Sequence, residues 1–151
     1  MIESDLLDIL NLAICYASND YLKDGTAEFF RKVGQYHLEE ATKRGYVKIE
    51  SQDKPLDVLE KIARYLESTG YMKQITIQRL SDHEAMVEMK GVAVTRSSNE
   101  ILSRGKQPSH FMTNMMLAAL KRIGVEAELE EVKFDSAGNR FKEHWKVLGR
   151  R

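Results

Sequence analysis

The chain has 151 residues, of which 42% are hydrophobic and 30% are charged, and this composition excludes a disordered or fibrous protein and predicts one globular domain over residues 1–151. Its 23 basic residues balance its 23 acidic residues, so the net charge does not favour a nucleic-acid partner. No apolar run reaches the roughly 20 residues of a membrane-spanning helix, and the acidic start is unlike a signal peptide. We therefore expect a cytoplasmic protein with no membrane span.

Apolar residues recur at helical spacing in three segments of the first half of the chain. They predict helices over Ser4–Tyr21, Thr26–Gly45 and Asp53–Gly70. Thr26 is a candidate cap of the second helix, and Pro55 suits the first turn of the third. Gly34 lies inside the second helix, where it either permits another backbone to pass close by or is simply tolerated.

The hydrophobic period then changes to the alternation that is typical of strands. It predicts strands over Tyr71–Leu80 and Glu84–Lys90, joined by the turn Ser81–His83. The segment Arg96–Gln107 is polar and has no steady period, so we predict irregular structure there.

A fourth helix, His110–Ile123, is predicted after Pro108. It is followed by a hairpin that comprises Val125–Phe134, the turn Asp135–Asn139 and Arg140–Leu148. The order ααα-ββ-α-ββ predicts an α+β fold, in which an antiparallel sheet of about four strands packs against about four helices.

The register of the last hairpin has a chemical consequence. If Phe134 lies opposite Arg140, then Glu128 faces Lys146, Leu129 faces Trp145 and Ala127 faces Val147.

The same register brings Glu131 opposite Glu143 on the apolar side, where like charges repel. Two such carboxylates, with His144 nearby, would form an acid and base pair of an enzyme. The alternative, which we favour, is a β-bulge at Glu130–Glu131 that turns one carboxylate to solvent, or a sheet end open to water. Apart from this pair, the sequence offers no catalytic residue.

Motifs for metal binding and nucleophilic catalysis are absent from the sequence. The four histidines are scattered, without an HExxH or paired-cysteine spacing, so no metal site is predicted. The single cysteine, Cys15, lies in an apolar helical pattern, and we expect it to be buried. His110, at a helix start and close in sequence to Arg104, indicates either an anion site or, as we favour, a solvated loop that runs into a helix.

Methionine and aromatic residues are concentrated around the fourth helix and the first strand pair. They indicate a soft core, a dimer face, or a pocket for a hydrophobic small molecule. The candidate ligand-binding residues are Phe29, Phe30, Tyr36, Arg104, His110, Phe111, Met112, Met115 and Trp145. Of these, His110 or Arg104 would fix a polar end of the ligand.

Residues 108–112, 117–120, 124 and 130–139 form a helix followed by a Glu-Val-Lys strand, a turn and a closing strand. With the segment Phe30–Gly34, they resemble the four-vinyl reductase domain, a small-molecule-binding family related to the core subunits of the TRAPP tethering complex. The resemblance implies an α+β domain, commonly dimeric, that holds a ligand between helices and sheet and acts as a sensor or an assembly module.

We therefore expect a non-enzymatic binding domain for a hydrophobic small molecule, with a sensor or regulatory role and a homodimeric state. The ligand and any cofactor stay unidentified. The first alternative is a protein–protein scaffold whose Met-rich face docks a partner protein. The second is an enzyme that uses the Glu131 and Glu143 pair.

Overall fold

The computed structural model describes residues 3–135 and 139–150 of the chain. It confirms the α+β fold, with helices first and the strand pairs on either side of further helices. The helices are α1 (Glu3–Leu22), α2 (Thr26–Lys43), α3 (Pro55–Ser68), α4 (Thr95–Ser103) and α5 (Phe111–Arg122). The strands are β1 (Gln74–Ser81), β2 (Glu84–Lys90), β3 (Val125–Asp135) and β4 (Arg140–Arg150), in the antiparallel order β1-β2-β4-β3.

The segment Arg96–Gln107 is not irregular, as the sequence predicted, because α4 occupies most of it. A short helix has marginal stability without tertiary contacts. Two side chains of α4 make such contacts. Ile101 is buried against α1 and α2, and Ser97 is held by polar side chains of α1. These contacts are remote in sequence, which is why hydrophobic periodicity alone missed the helix.

One face of the sheet is covered by α3 and α5 and forms the main core. On β2 this face carries Ala85, Val87 and Met89, all buried. On β4 it carries Trp145 and Val147, which contact α3 and α5 residues in the same cluster. The alternate positions of β2 and β4 are mostly charged or polar, with Met86 and Leu148 as apolar exceptions, as expected for an antiparallel sheet with one wet face.

A second, smaller cluster joins α1, α2, α4 and the start of α5. Its fully buried members are Cys15, Phe30 and Ile101, and the Phe111 ring packs edge-on against Phe30 at 5.9 Å between centroids. Burial raises the pKa of the Cys15 thiol, so the thiolate is disfavoured. Within residues 3–135 and 139–150, none of the helices has both the length and the apolar content that a membrane span requires.

The register of the last hairpin departs from the predicted one partway along. Glu128 pairs with Lys146, Leu129 with Trp145 and Ala127 with Val147, which confirms the prediction for the first half of β3. A bulge then follows between Leu129 and Glu131.

Beyond this bulge, Phe134 lies opposite Phe141 and not opposite Arg140. The conditional register was wrong here because a β-bulge adds one residue to one strand only. The favoured alternative, a bulge at Glu130–Glu131, is confirmed. The predicted turn Asp135–Asn139 lies partly outside the described residues.

Gly34 lies where α2 crosses α5. A Cβ atom added at Gly34 would lie 2.6 Å from the carbonyl carbon of Asn114 and 2.7 Å from its oxygen. These distances are well inside van der Waals contact. Of the two interpretations of this glycine, close backbone approach is the one that the structure shows.

We predict that Gly34→Ala lowers the free energy of unfolding by about 1–3 kcal/mol, because the added methyl group has to push α2 and α5 apart. Gly25→Ala is the matched control, since its Cβ would meet only the Leu22 Cβ at 3.9 Å and its φ is −83°. Urea denaturation of both variants measures the difference. Equal stabilities would show that the helix crossing tolerates a methyl group.

Candidate ligand-binding site

A cavity of about 40 Å³ lies between the sheet, the end of α4 and the start of α5. Since one water molecule needs roughly 10–15 Å³, this volume holds about three water-sized groups. The lining residues are Tyr71, Met89, Val92, Val94, Ser98, Leu102, Ser109, His110, Phe111, Met112, Thr113, Val132, Phe141 and Glu143. Most of the wall is therefore apolar, with a few polar side chains set into it.

The linker before α5 determines where His110 and Phe111 lie in the cavity wall. His110 adopts the left-handed backbone conformation (φ 45°, ψ 44°) at the N-terminus of α5. The Ser109 hydroxyl donates a hydrogen bond to Asn11 Oδ1 of α1 (2.6 Å), and the Asn114 amide donates one to the Ser109 carbonyl (2.9 Å). These buried bonds hold the turn that sends His110 and Phe111 to the cavity.

Glu143 is the only acidic residue among the lining side chains described, and it is 3% exposed. It occupies an inward position of β4, between Phe141 and Trp145 in the alternation of that strand. Thr113 donates a hydrogen bond to Oε2 (2.7 Å), whereas Oε1 is buried and accepts no hydrogen bond from any described residue.

Burial raises the pKa of Glu143. The Thr113 hydroxyl and the Trp145 indole oppose this rise, but desolvation outweighs them, although the indole nitrogen itself makes no well-aligned hydrogen bond within the described chain. Moving a carboxylate out of water without a cation is costly, so such a group takes up a proton instead. Glu143 is thus favoured as a neutral acid.

Two further titratable side chains line the cavity, Tyr71 and His110. The Tyr71 hydroxyl is buried and has no hydrogen-bond partner among the described residues, and desolvation strongly raises the pKa of this phenol. Burial lowers the pKa of His110. Since no lysine or arginine is among the described lining residues, the cavity presents neutral polar groups.

The cavity reaches the protein surface at Leu102 of α4 and Val132 of β3. These lining side chains are 46% and 49% exposed, respectively. Both are apolar and lie on different elements, so they form the two sides of a mouth.

Three of the residues predicted to bind a ligand, His110, Phe111 and Met112, line this cavity together. Phe30 lies behind Phe111 in the smaller cluster. Arg104 lies outside the cavity, where its guanidinium stacks 5.5 Å from the centre of the Tyr16 ring.

The other predicted ligand-binding residues lie elsewhere. Met115 and Trp145 are fully buried in the main core, whereas Phe29 and Tyr36 are exposed on α2. Met116 is also fully buried. The Met-rich face of α5 is therefore packed inside the protein, so the hypothesis that this face docks a partner protein was wrong.

The register of the last hairpin does not place Glu131 opposite Glu143, as the predicted acid and base pair requires. Val132 lies opposite Glu143, and Glu131 pairs with His144, because the bulge shifts the register. The side chain of Glu131 lies outside the described side chains. Among the described residues, no group of three or more potential metal-ligating side chains occurs.

The sequence analysis did not identify Tyr71 as a cavity residue, and it considered Glu143 only as a partner of Glu131. Glu143 could have been identified from the sequence alone. The alternation of β4 places it on the same face as Phe141 and Trp145, whatever the register of the hairpin. Tyr71 lies before β1, and its neighbours in the cavity come from α5 and β4. Only the tertiary structure brings it there.

No protein-family model and no curated protein matches the chain. The fold is similar to that of solved H-NOX proteins. An Fe(II) unliganded H-NOX protein mutant from K. algicida is 11% identical, with 82% of this chain and 64% of that chain covered, at a TM-score of 0.52. For a Tt H-NOX variant, the identity is 12%, the coverage is 83% and 64%, and the TM-score is 0.52.

A further H-NOX structure, described in connection with heme distortion, is 11% identical over 88% of this chain and 68% of that chain, at a TM-score of 0.54. The chain thus spans about two thirds of the length of these neighbours, and the likeness concerns the fold. The resemblance to four-vinyl reductase and TRAPP proteins was wrong, since the structural neighbours are H-NOX proteins. A helix followed by a hairpin is a pattern that unrelated α+β proteins share.

We predict that Glu143→Gln stabilises the protein increasingly as the pH rises above about 4.5, the ordinary pKa of the carboxyl group. Below this pH, the carboxyl group is protonated in both states, so its stabilising effect is fully present. As the pH rises, the unfolded chain ionises first and that stabilisation is lost. Thermal denaturation at pH 4, 5.5 and 7 measures the difference.

Glu128→Gln, at an exposed position of β3, is the control and should show a smaller dependence. A Glu143→Gln difference that shrinks as the pH rises would show that the folded protein stabilises a charged Glu143.

Proposed function

We propose that the chain is a non-enzymatic sensor domain that binds a small molecule in the cavity between α4, α5 and the sheet. The observation that carries this proposal is the presence of two buried atoms without a hydrogen-bond partner among the described residues, Glu143 Oε1 and the Tyr71 hydroxyl, in a mostly apolar cavity. Each such buried polar group costs about 1–3 kcal/mol when it lacks a partner. A bound molecule that pairs with either group recovers part of this cost.

The fold supports a binding role without identifying the ligand. H-NOX neighbours include an Fe(II) protein and one studied for heme distortion, so heme is the first group to test against this chain. Heme iron in proteins is held by His, Cys, Met or Tyr side chains. The cavity has such side chains in His110, Tyr71, Met89 and Met112.

The space around these side chains does not fit heme. Pockets for ligands of drug size have roughly 300–1,000 Å³, whereas this cavity has about 40 Å³. Two wider surface grooves, of about 510 and 910 Å³, contain no His, Cys, Met or Tyr among their lining residues. The side chains that could ligate heme iron thus line the small cavity, whereas these two larger grooves lack such side chains. The cavity therefore suits a smaller molecule than heme.

Binding is favoured over catalysis by the hydrogen bonding of the cavity's titratable groups. Desolvation favours the neutral forms of Glu143, Tyr71 and His110 alike. The described hydrogen bond of the Glu143 carboxyl group is to Thr113 and not to a base. No described hydrogen bond therefore connects the Glu143 acid to a base that could exchange a proton with it.

The proposal is tested by NMR of the protein labelled with ¹³C at the methionine methyl groups. Met89 and Met112 line the cavity, whereas Met86 points to the opposite face of β2. Three seven-carbon probes, 2-heptanone, 2-heptanol and 2-aminoheptane, are titrated separately. At least one probe should shift the Met89 and Met112 signals saturably and leave Met86 unchanged.

Leu102→Trp narrows the mouth of the cavity and should weaken that binding at least tenfold. Leu80→Trp is the matched control, since Leu80 is 47% exposed on β1 and does not line the cavity. If none of the three probes moves the Met89 and Met112 signals, the proposed function fails.

A second candidate role is self-association through α1, as expected for a homodimer. Its Leu6, Ile9 and Leu10 side chains are 50–57% exposed. Three apolar side chains this exposed, close together on one helix, are typical of a protein–protein contact. This surface, unlike the Met-rich face of α5, is available to a second copy of the chain.

We predict that the double variant Leu6→Glu, Leu10→Glu is monomeric in sedimentation equilibrium at a concentration at which the wild-type protein is a dimer. Charge repulsion and lost apolar burial across the contact are the reason. Val132→Glu, at an exposed position of β3, serves as the control. A wild-type protein that is monomeric at 100 µM would contradict this second role.

A further inference from the structure

We infer that the groove between α2 and α5 is a second binding site, which takes a free small molecule with an apolar body and an anionic group. This groove shares no described lining residue with the cavity of the proposed function, so the two sites are independent. The floor of the groove, the charges along its walls and its size each support the inference.

The two walls of the groove are helices that run side by side in the same direction. Gly34 of α2 lies against Asn114 of α5. About two turns further along both helices, Arg122 of α5 donates a hydrogen bond to Thr42 Oγ1 of α2 (3.2 Å). The groove has a volume of about 510 Å³. Its lining residues are Glu28, Arg31, Lys32, Gln35, Leu38, Glu39, Asn114, Leu117, Ala118, Lys121 and Arg122.

Apolar side chains form the floor of the groove. Leu38 of α2 is buried, and Leu117 and Ala118 of α5 are half-buried and line the groove with it. A hydrocarbon chain that lies on these side chains removes apolar surface from water, which is favourable. The floor therefore suits an apolar body.

The walls carry more positive than negative charge. Four of the described lining residues are basic and two are acidic, which gives the groove a net charge of +2. The chain as a whole has no net charge. The excess of positive charge is thus a local property of this groove.

Both carboxylates of the groove already have hydrogen-bond partners. Glu28 accepts a hydrogen bond from the guanidinium of Arg31 (3.0 Å). Glu39 accepts one from the side-chain amide of Gln35 (3.3 Å). The acidic residues are therefore engaged with residues of their own helix.

Three of the four basic side chains have no carboxylate partner among the described residues. They are Lys32 of α2 and Lys121 and Arg122 of α5. Since they belong to both walls, an anionic group that enters the groove is attracted by cations of both helices. Hydrogen bonds from Lys and Arg to an anion are stronger than those between neutral groups. A cationic ligand would be repelled by the same side chains.

The size of the groove favours a small molecule over a protein partner. Its eleven described lining residues are fewer than the roughly 20–30 residues that each side of a stable protein–protein interface contributes. Its volume of about 510 Å³ lies within the roughly 300–1,000 Å³ of small-ligand sites. The ligand class is therefore a free amphipathic anion, such as a hydrocarbon chain that ends in a carboxylate.

Three eight-carbon probes, octanoate, 1-octanol and octylamine, test this preference at pH 7 by NMR of the protein labelled with ¹³C at the leucine methyl groups. Leu38 and Leu117 line the groove, whereas Leu80 is an exposed reference on β1 and Leu102 reports on the mouth of the cavity. Octanoate should shift the Leu38 and Leu117 signals saturably. It should bind about tenfold more tightly than 1-octanol, as two or three exposed ion pairs imply, and octylamine should bind most weakly.

Charge variants separate the anion site from non-specific binding. Lys32→Gln and Lys121→Gln should each weaken octanoate binding about threefold and leave 1-octanol binding unchanged. Lys43→Gln is the matched control, since Lys43 is exposed at the end of α2 and does not line the groove. Glu39→Gln removes a negative charge from the wall and should strengthen octanoate binding. Added salt should weaken the binding of octanoate but not of 1-octanol, because ions screen exposed charges.

Three results would overturn the inference. The first is the absence of saturable shifts of the Leu38 and Leu117 signals. The second is an equal affinity for octanoate and 1-octanol, or an octanoate affinity that the two lysine variants leave unchanged. The third is tighter binding of a 16-residue amphipathic helix of Leu and Glu, which would indicate a protein partner. Since Leu102, Met89 and Met112 report on the cavity separately, none of these results contradicts the proposed function.

Discussion

The position of α5 depends on how closely α2 can approach it. At Gly34, the α2 backbone approaches Asn114 so closely that no Cβ atom fits between them. Asn114 in turn holds the Ser109 carbonyl, and the next residue, His110, begins the cavity wall. The absence of one methyl group on α2 thus determines where the first turn of α5 meets the sheet, and with it the shape of the cavity.

An acidic residue at an inward position of a central strand lowers the stability of the folded protein, and the fold itself does not require it. β4 lies between β2 and β3, so the neighbours of Glu143 across the sheet are Val87 and Val132. A hydrophobic residue at this position would pack at least as well and would avoid the desolvation of a carboxyl group. Buried polar groups that weaken folding are typical of places where a protein meets another molecule.

The hydrophobic periodicity of the sequence was sufficient to predict most of the helices and strands, because the period of an amphipathic helix or an alternating strand is visible within that segment alone. It failed for α4 (Thr95–Ser103), whose few apolar residues gain stability from α1, and for the bulge in β3, which adds a residue without changing composition. The site was only partly predictable. His110 and its neighbours on α5 were found together, because they are contiguous, whereas Tyr71 enters the cavity from a distant segment.

Cys15 gives the protein a practical property. The thiol is fully buried in the smaller cluster, and its raised pKa keeps it in the unreactive protonated form. Maleimide and methanethiosulfonate reagents should therefore leave it unmodified in the native state. Fluorophores or spin labels can be attached to single cysteines introduced on the surface, and distances between α1 and the sheet can be measured without first removing the native cysteine.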